Sequence, residues 1–311
     1  MDQAQQLRNI IKNSNKPLRP LARIITVTSG KGGVGKSNVA INLAIQFRRM
    51  GKRVIILDAD FGLANIEIMF GTVPKHNLCD LIYQGKNIKD IITWGPEGVG
   101  FISGGSGISG MYNLSRDYLV YIIVNLAELD AIADIIIIDT GAGISDAVME
   151  FLVASGEIIL VTTPEPTSIT DSYSLLKALN QSPRFSRDDT KVKVVSNRVA
   201  SVEEGQQLFN KLNAVVARYL KLPLTYMGAI PQDQMLSRSV MQQSPVSIQY
   251  PNSKSVKAFE SIASQLMDPN DTALIKTRGM AAFFSHIITG RKLSSLPAGN
   301  PNIIGNASNT Q

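Results

Sequence analysis

The chain has 311 residues, 44% of them hydrophobic and 18% charged, with a formal net charge of +6, which suits one sizeable α/β domain with appendages. The single cysteine, Cys79, excludes an internal disulfide and a cysteine-based metal cluster. No apolar run reaches the roughly 18 residues of a membrane span, and the first residues lack the apolar core of a secretion signal, so we expect a cytoplasmic protein.

The positive charge is concentrated at the two ends of the chain. Residues 1–23 carry a net charge of +4 and residues 272–311 another +4, which leaves −2 for the segment between them. Basic ends of this kind attract anionic partners such as lipid or nucleic acid. The middle segment lacks the excess of basic residues that non-specific DNA binding requires, which argues against nucleic acid as a partner.

Residues 1–22 are the first predicted unit, an N-terminal arm. It opens with "DQAQQLR" (2–8), and a short helix is expected from Gln3 to Ile11. The "KNSNKPLRP" that follows cannot continue a helix past its prolines.

Residues 23–268 alternate short apolar, β-branched runs with helical patterns. The predicted strands are 23–28, 53–58, 98–103, 135–140, 157–162, 191–197 and 224–230. The segments long enough for helices include 36–50, 117–130, 145–155, 167–180 and 203–220. Continuous apolar runs are typical of strands that are buried on both faces. The alternation predicts a doubly wound, mostly parallel sheet with helices on both faces.

A phosphate-binding loop follows the first predicted strand. Within "SGKGGVGKSN" the pattern G-x-x-x-x-G-K-S opens a helix. Its glycines let backbone N–H groups approach the phosphates of ATP, Lys36 is expected to reach the β- and γ-phosphates, and the Ser37 hydroxyl is expected to bind Mg²⁺. The predicted nucleotide-binding residues here are Gly30, Lys31, Gly32, Gly33, Val34, Gly35, Lys36, Ser37 and Asn38.

Carboxylates stand at the ends of two other predicted strands. Asp139 follows "IIII", and Asp58 and Asp60 occupy "VIILDAD" two positions apart. Side chains at this spacing on an extended chain point the same way. We expect Asp139 to reach Mg²⁺ through water, while one of the other two joins the magnesium shell and the second orients the water that attacks ATP.

Lys31 is a second lysine in the loop, and Lys36 leaves no room for it in the same phosphate pocket. Phosphoryl transfer is accelerated by a cation supplied from outside the pocket, by about 10³–10⁵ when an arginine does this. A lysine that projects from the loop can act on the nucleotide of a facing subunit. The sequence therefore predicts a dimer with ATP at its interface.

These segments together resemble the MinD/ParA family of P-loop ATPases. "KGGVGKS" is similar to the family's deviant Walker A motif, which implies that Lys31 contacts the partner's nucleotide. "DADFGLAN" and "IDTGAG" resemble its two switch segments, which implies that Asp60 positions the water and Asp58 supports the magnesium shell. The resemblance covers roughly residues 23–268. Gly141 stands where MinD usually has proline, which is expected to keep the magnesium chemistry but loosen the second switch.

The resemblance extends to three segments outside the motifs above. "TTPEPTSITDS" is similar to the family's dimer face, which implies interface positions for Glu165 and Asp171. "NRV" and "IPQD" resemble the adenine-binding segments, which implies contacts of the base with Asn197, Arg198, Pro231 and Asp233.

Residues 269–292 are predicted to hold an amphipathic helix, and residues 293–311, rich in Pro, Gly, Asn and Ser, a disordered tail. One helical stripe contains Met280, Phe283, Phe284, Ile287 and Ile288. The stripe suits either an interfacial helix on anionic lipid or a last helix that packs on the body. The absence of acids from residues 272–292 and the adjacent phenylalanines favour the membrane. One helix binds lipid marginally, whereas two on an ATP dimer bind by avidity, and without ATP the helix can fold back onto the body.

The opening heptapeptide resembles the DQAxxLR motif of the flagellar branch of this family, the FlhG (FleN/YlxH) ATPases. The positions that match are Asp2, Gln3, Ala4, Leu7 and Arg8. The resemblance implies that Gln3 enters the active site of the GTPase FlhF and stimulates it. It also implies contacts with the C-ring proteins FliM and FliN/FliY, and a reversible association with the cytoplasmic face of the inner membrane.

The leading interpretation is therefore an ATP-hydrolysing, ATP-dependent dimer that regulates the number and placement of flagella. Three alternatives remain. One is a septum-site-determining MinD, one is a ParA-type DNA partition ATPase, and one is a nucleotide-gated scaffold in which turnover matters little.

Overall fold

The computed structural model of the chain describes residues 21–60, 65–104, 116–269 and 279–294, with side chains described outside 116–121 and 288–294. The predicted activator residues of the arm and residues 295–311 of the predicted tail lie outside the described residues, whereas residues 293 and 294, predicted to be disordered, belong to the last helix. In the described part, eight strands form one sheet in the order β3-β4-β2-β5-β1-β6-β7-β8. The strands are β1 (Arg23–Ser29), β2 (Val54–Ala59), β3 (Thr93–Trp94), β4 (Gly100–Ile102), β5 (Ile135–Ala142), β6 (Glu157–Thr162), β7 (Lys191–Val199) and β8 (Leu224–Pro231).

Thirteen α-helices occur in the described ranges. They are α1 (Lys36–Arg49), α2 (Asn65–Phe70), α3 (Leu78–Gln84), α4 (Ile88–Ile91), α5 (Arg116–Ala127), α6 (Leu129–Ile132), α7 (Asp146–Ala154), α8 (Pro166–Gln181), α9 (Val202–Tyr219), α10 (Gln234–Met241), α11 (Val246–Gln249), α12 (Lys254–Leu266) and α13 (Gly279–Ser294). Helices cover both faces of the sheet, so the predicted doubly wound α/β architecture is confirmed.

The core divides along the two faces because neighbouring strand residues point in opposite directions. Ile56 and Ile137 pack with α1 and α12 on one face. Leu57 and Ile138 pack on the other face with α5, α6 and α13. Strands buried on both sides explain the continuous apolar runs of the sequence.

All seven predicted strands are present, and β3 was missed. The predicted strand 98–103 is reduced to β4, and β3 pairs with it antiparallel at the sheet edge. A strand of two residues is too short to show an alternation of apolar and polar residues. Trp94 is also more than half exposed, so β3 contains no buried apolar run. The predicted helix 117–130 is interrupted at Glu128 and continues as α6.

The strand order places the C-terminal ends of β2, β5 and β1 side by side at the centre of the sheet. In the parallel register Val27 of β1 lies beside Asp139 of β5, and Asp58 of β2 lies beside Asp139 on its other side. The loop that follows β1 therefore opens next to both acids. A crevice at the carboxyl ends of parallel strands is where ligands bind in open α/β sheets.

Candidate nucleotide-binding site

The phosphate-binding loop ends in a helix start that is suited to an anion. Gly33 and Gly35 have φ values of 75° and 93°, which L side chains rarely adopt. Gly35 is the N-cap of the 14-residue helix α1 and provides no capping side chain. The first N–H groups of α1 therefore remain available for phosphate, as the sequence predicts.

Lys36 and Asp139 form the buried centre of this site. Lys36 is 8% exposed, and its Nζ lies 3.5 Å from Oδ1 of Asp139, which is fully buried. Burial raises the pKa of Asp139, while the charge of Lys36 and the nearby Ser37 hydroxyl oppose that rise. Neither carboxylate oxygen of Asp139 accepts a hydrogen bond of normal geometry from the described residues. Buried oxygens without partners are uncommon, and these two suit a cation.

Asp58 is the second buried carboxylate, beside Asp139 in the sheet. Its Oδ1 accepts the N–H of Asp60 at 3.1 Å, and its Oδ2 accepts the N–H of Ile66 at 3.4 Å. Burial and the charge of Asp139 raise the pKa of Asp58 to about 7. Asp58 therefore holds the backbone of Asp60 and the first turn of α2.

Asp60 is half-buried in the first switch segment and faces Gly141 of the second. Its Oδ2 accepts a hydrogen bond from Asn65 at 3.2 Å. On the other side, a Cβ built on Gly141 would lie 3.6 Å from Asp60 Oδ1, an ordinary contact distance. The glycine that replaces the family's proline is thus adjacent to the acid that the resemblance assigns to the attacking water.

Ser37, Asp58 and Asp139 are the residues that would hold Mg²⁺, and the unsatisfied oxygens of Asp139 fit that role. Within the described ranges, no group of three or more His, Cys, Asp or Glu residues is arranged to hold a metal. Magnesium is usually held by one or two carboxylates together with substrate phosphates, and Asp58 and Asp139 would supply the carboxylates. When bound, Mg²⁺ would neutralise charge on the phosphates during transfer.

Lys31 is held by α8 instead of lying beside Lys36. Its Nζ donates to Oε2 of Glu165 at 2.6 Å and to Oγ1 of Thr167 at 2.8 Å. The hydrogen bond from Lys31 lowers the pKa of Glu165. Both members of the ion pair are substantially exposed, so the pair lies at the surface. Thr167 was not among the predicted site residues, and Glu165 was expected at an interface, not as a partner of Lys31 in the same chain.

The loop also contacts the backbone of α8. A Cβ built on Gly30 would lie 2.2 Å from the carbonyl carbon of Asp171 and 2.4 Å from the nitrogen of Ser172. No side chain fits at position 30. Asp171 therefore supports the loop through its main chain, a contact that the expected interface role did not include.

One of the two segments expected to bind adenine contacts the phosphate-binding loop. Asn197 is buried, and its Nδ2 donates to the carbonyl of Val34 at 2.7 Å, while its Oδ1 accepts the N–H of Arg198. Arg198 has a φ of 56°, in the left-handed region that is strained for arginine. Asn197 thus lies at the loop with Arg198 beside it, and the expected contacts of both residues with adenine stay a prediction.

Asp233 uses its carboxylate to cap two helices. Oδ1 accepts the N–H of Met235 in α10 at 2.9 Å, and Oδ2 accepts the N–H and hydroxyl of Ser255 in α12 at 3.1 and 2.8 Å. Burial alone would raise the pKa of Asp233, but the backbone N–H groups of Ser255 and Met235 lower it. Pro231, at the end of β8, lies two residues before this double cap.

The apolar stripe of the last helix packs on the body. Met280, Phe283, Phe284 and Ile287 are at most 4% exposed, and Phe151 of α7 lies 6.1 and 6.4 Å from the two phenylalanine rings. This is the arrangement expected if the last helix packs on the body. Packing there removes the apolar stripe from water, as contact with lipid would. The membrane contact of this stripe stays a prediction, and the side chain of Ile288 lies outside the described residues.

Polar contacts hold α13 at two further points. Asp130 of α6 accepts the N–H of Met280 with both oxygens at 3.1 Å. Arg184, after α8, donates to both oxygens of Glu150 and to the carbonyl of His286. The sequence contained no signal for Asp130 or Arg184. In the described ranges, no helix has the length and apolar character needed to cross a bilayer.

The chain matches the CobQ/CobB/MinD/ParA nucleotide binding domain over residues 25–246. It is 39% identical to the antiactivator FleN of Pseudomonas aeruginosa, over 78% of this chain and 86% of FleN. It is 31% identical to the flagellum site-determining protein YlxH of Helicobacter pylori, over 92% of this chain and 98% of YlxH. Its fold is similar to that of the septum site-determining MinD of Pyrococcus horikoshii, solved with Mg-ADP, with a TM-score of 0.61 at 24% identity, over 82% of this chain and all of MinD.

Proposed function

Because the chain belongs to the MinD/ParA nucleotide-binding family and is an ATPase of its flagellar FlhG branch, we propose that it is an ATP-driven switch that regulates the number and placement of flagella. The observation that carries the ATPase part is the buried Lys36–Asp139 pair at the start of α1. The opening heptapeptide and the similarity to FleN and YlxH support the flagellar part.

The proposed switch alternates between a monomer and a dimer with ATP and Mg²⁺ at the interface. Lys36 binds the phosphates from within its own chain, and Lys31 leaves Glu165 to contact the nucleotide of the facing subunit. Asp60 orients the attacking water. The surface position of the Lys31–Glu165 pair supports this division of work, because breaking an exposed ion pair costs at most about 1 kcal/mol.

Membrane binding is the proposed output of this switch. In the monomer the stripe of α13 is buried on the body. In the ATP dimer two such helices leave the body and bind anionic lipid on the cytoplasmic face of the inner membrane by avidity. Hydrolysis of ATP returns the helices to the body and the protein to the cytoplasm.

The proposed partners are the GTPase FlhF and the C-ring proteins FliM and FliN/FliY. Gln3 is chemically suited to stimulate a GTPase, since a glutamine amide can orient an attacking water. The residues that contact the C-ring proteins are not assigned.

Deleting the gene in its host and counting flagella and minicells by electron microscopy tests the flagellar role. Altered number or placement of flagella with normal division supports the proposal. Minicells with normal flagella would instead identify a septum-site-determining MinD, and a loss of plasmid or chromosome partition with neither defect would identify a ParA-type ATPase.

A further inference from the structure

A groove of about 480 Å³ runs along the outer side of β8, the end strand of the sheet on the side away from β3. β8 pairs with β7 on one side, and no strand of the described ranges pairs with it on the other. The open side of such an edge strand presents unpaired backbone N–H and C=O groups, which are a template for pairing with another chain. Gly228 and Ala229 are only half-buried, so water reaches this edge.

Two helices cover the faces of β8 and leave its edge open. α9 packs on one face, because a Cβ built on Gly205 would lie 2.6 Å from the Cβ of Ala229. α12 packs on the other face, because a Cβ built on Gly228 would lie 3.4 Å from Cγ1 of Ile262. The strand is therefore accessible only from the side, through the space between the two helices.

The floor of the groove leaves room for an incoming main chain. Gly228 and Ala229 form it, with Tyr226 towards one end and Pro231 at the other. Because a hydrogen atom and a methyl group cover little of the backbone, a second strand can approach to the roughly 4.8 Å at which strands pair. The part of α12 that lines the groove, residues 254–265, is roughly 16 Å long. This is the length of about five residues in an extended chain.

The wall that α12 forms is basic at one end. The side chains of α12 that line the groove fall on one face of the helix, and they are Lys254, Lys257, Ala258, Ser261 and Gln265. Both lysines are exposed, and none of the described residues that line the groove is acidic. Asp233 accepts the N–H of Ser255, which places the lysines near the C-terminal end of β8. An occupant with carboxylates at that end would match this charge.

We propose that this groove between α9, α12 and the edge of β8 binds an extended acidic segment of another protein, which adds to the sheet as a further strand. In this mode of recognition the main chain supplies affinity and the side chains supply specificity. The backbone of β8 pairs with the segment, and Lys254 and Lys257 select carboxylates at one of its ends. The groove is separate from the phosphate-binding loop, because β6 and β7 lie between β8 and β1.

Selection from a phage-displayed library of random heptapeptides on the purified full-length protein tests the groove. Ser261→Trp fills the groove from an exposed position of α12, so the variant should fold. Ser264→Trp is the matched control, because Ser264 is exposed on the same helix but does not line the groove. We expect the enriched peptides to be acidic, rich in β-branched residues and free of proline. Their synthetic forms should bind the wild type and Ser264→Trp equally, and Ser261→Trp about tenfold more weakly or worse.

Two further measurements separate charge selection from strand pairing. Lys254→Glu combined with Lys257→Glu should weaken peptide binding by about tenfold or more, because two attractive charges become repulsive. Lys211→Glu combined with Arg218→Glu is the matched control, since both residues are exposed on α9 outside the groove. The backbone of a strand pairs with each neighbour through alternate residues. N-methylation of one alternating set of peptide residues should therefore abolish binding, while methylation of the other set should preserve it.

The proposal is overturned if no peptide is enriched, if Ser261→Trp binds the enriched peptides as well as the wild type does, or if both methylated sets still bind. Displacement of the peptides by saturating ATP would also overturn it, because Pro231 at the end of the groove would then belong to an occupied adenine site. Equilibrium sedimentation without ATP tests a second copy of the chain as the occupant. Self-association that Ser261→Trp abolishes and Ser264→Trp keeps would replace the proposed partner with that second copy.

Discussion

Lys31 and Glu165 form an ion pair within one chain, with Nζ and Oε2 2.6 Å apart. The two residues are 134 positions apart in sequence, and the pair joins the phosphate-binding loop to the first turn of α8. The same lysine cannot hold Glu165 and contact a facing nucleotide at once. The pair is therefore the contact that must open when the proposed dimer forms.

Lys31→Ala should keep ATP binding and lose turnover. Nucleotide binding depends on Lys36 and the loop backbone, whereas removal of a cation supplied in trans lowers the rate by about 10³-fold or more. Titration with ATP and a phosphate-release assay measure the two properties. Lys89→Ala, which removes an exposed lysine from α4, is the control. A fully active Lys31→Ala enzyme would contradict the role of Lys31.

Lys36→Ala should abolish ATP binding and also destabilise the fold. The change leaves Asp139 buried without its cation, and breaking a buried pair costs about 3–5 kcal/mol. The double variant Lys36→Ala with Asp139→Asn should recover most of the free energy of unfolding in urea but none of the ATP binding. Recovery of binding in the double variant would show that the loop holds ATP without Lys36.

The free energy of unfolding should fall as the pH rises from about 4 to 7 in the absence of metal. The pKa of Asp58 is about 7 in the folded protein against an ordinary value of 3.8. Between these values the folded state keeps a proton that the unfolded chain has lost, so stability is lost at up to about 1.4 kcal/mol per pH unit. Urea unfolding in EDTA at several pH values measures the slope. Asp58→Asn should make the slope shallower, and an equal slope in that variant would assign the titration elsewhere.

Arg184→Ala should let α13 leave the body without ATP. Arg184 connects Glu150 of α7 to the carbonyl of His286, and its loss removes hydrogen bonds to a charged group, worth roughly 1.5–3 kcal/mol each. Sedimentation with anionic vesicles should show severalfold more nucleotide-free binding than in the wild type. Arg187→Ala, an exposed arginine three residues on, is the matched control. A requirement for ATP equal to that of the wild type would show that Arg184 does not restrain α13.

Gln3→Ala should leave ATP hydrolysis unchanged and remove the stimulation of FlhF. The change removes the amide that the proposed function places near the attacking water of the GTPase. Gln5→Ala is the matched control, because Gln5 occupies a free position of the heptapeptide motif. Measured GTP hydrolysis by FlhF should respond to the first change and not to the second.

The strands and the phosphate-binding loop could be predicted from the sequence because their signals are local. β5 and β6 are continuous apolar runs, and the loop needs its glycines at fixed positions. Contacts between distant segments left no such signal. The partners of Lys31 in α8 and the second helix capped by Asp233 depend on how the elements pack, which periodicity does not report.

The last helix shows the same limit in energetic terms. The spacing of its apolar residues predicts a stripe that must be removed from water. Contact with lipid and contact with the surface of α5–α7 would both remove it. In the single chain, α13 packs on the body because Phe151 contacts its apolar stripe and because Asp130 and Arg184 form hydrogen bonds with its backbone. None of the three lies within 90 residues of the stripe in the sequence, so no local pattern could indicate them.

Because the backbones of Gly30 and Asp171 are in contact, we expect the phosphate-binding loop and α8 to move together. With a Cβ at position 30 only 2.2 Å from the carbonyl carbon of Asp171, the two main chains have no side chain between them to absorb a shift. We expect a displacement of the loop to move the 16-residue helix α8 as a rigid body. We therefore expect a shift of the loop to move α8, whose C-terminal end comes shortly before Arg184 and its contact with α13.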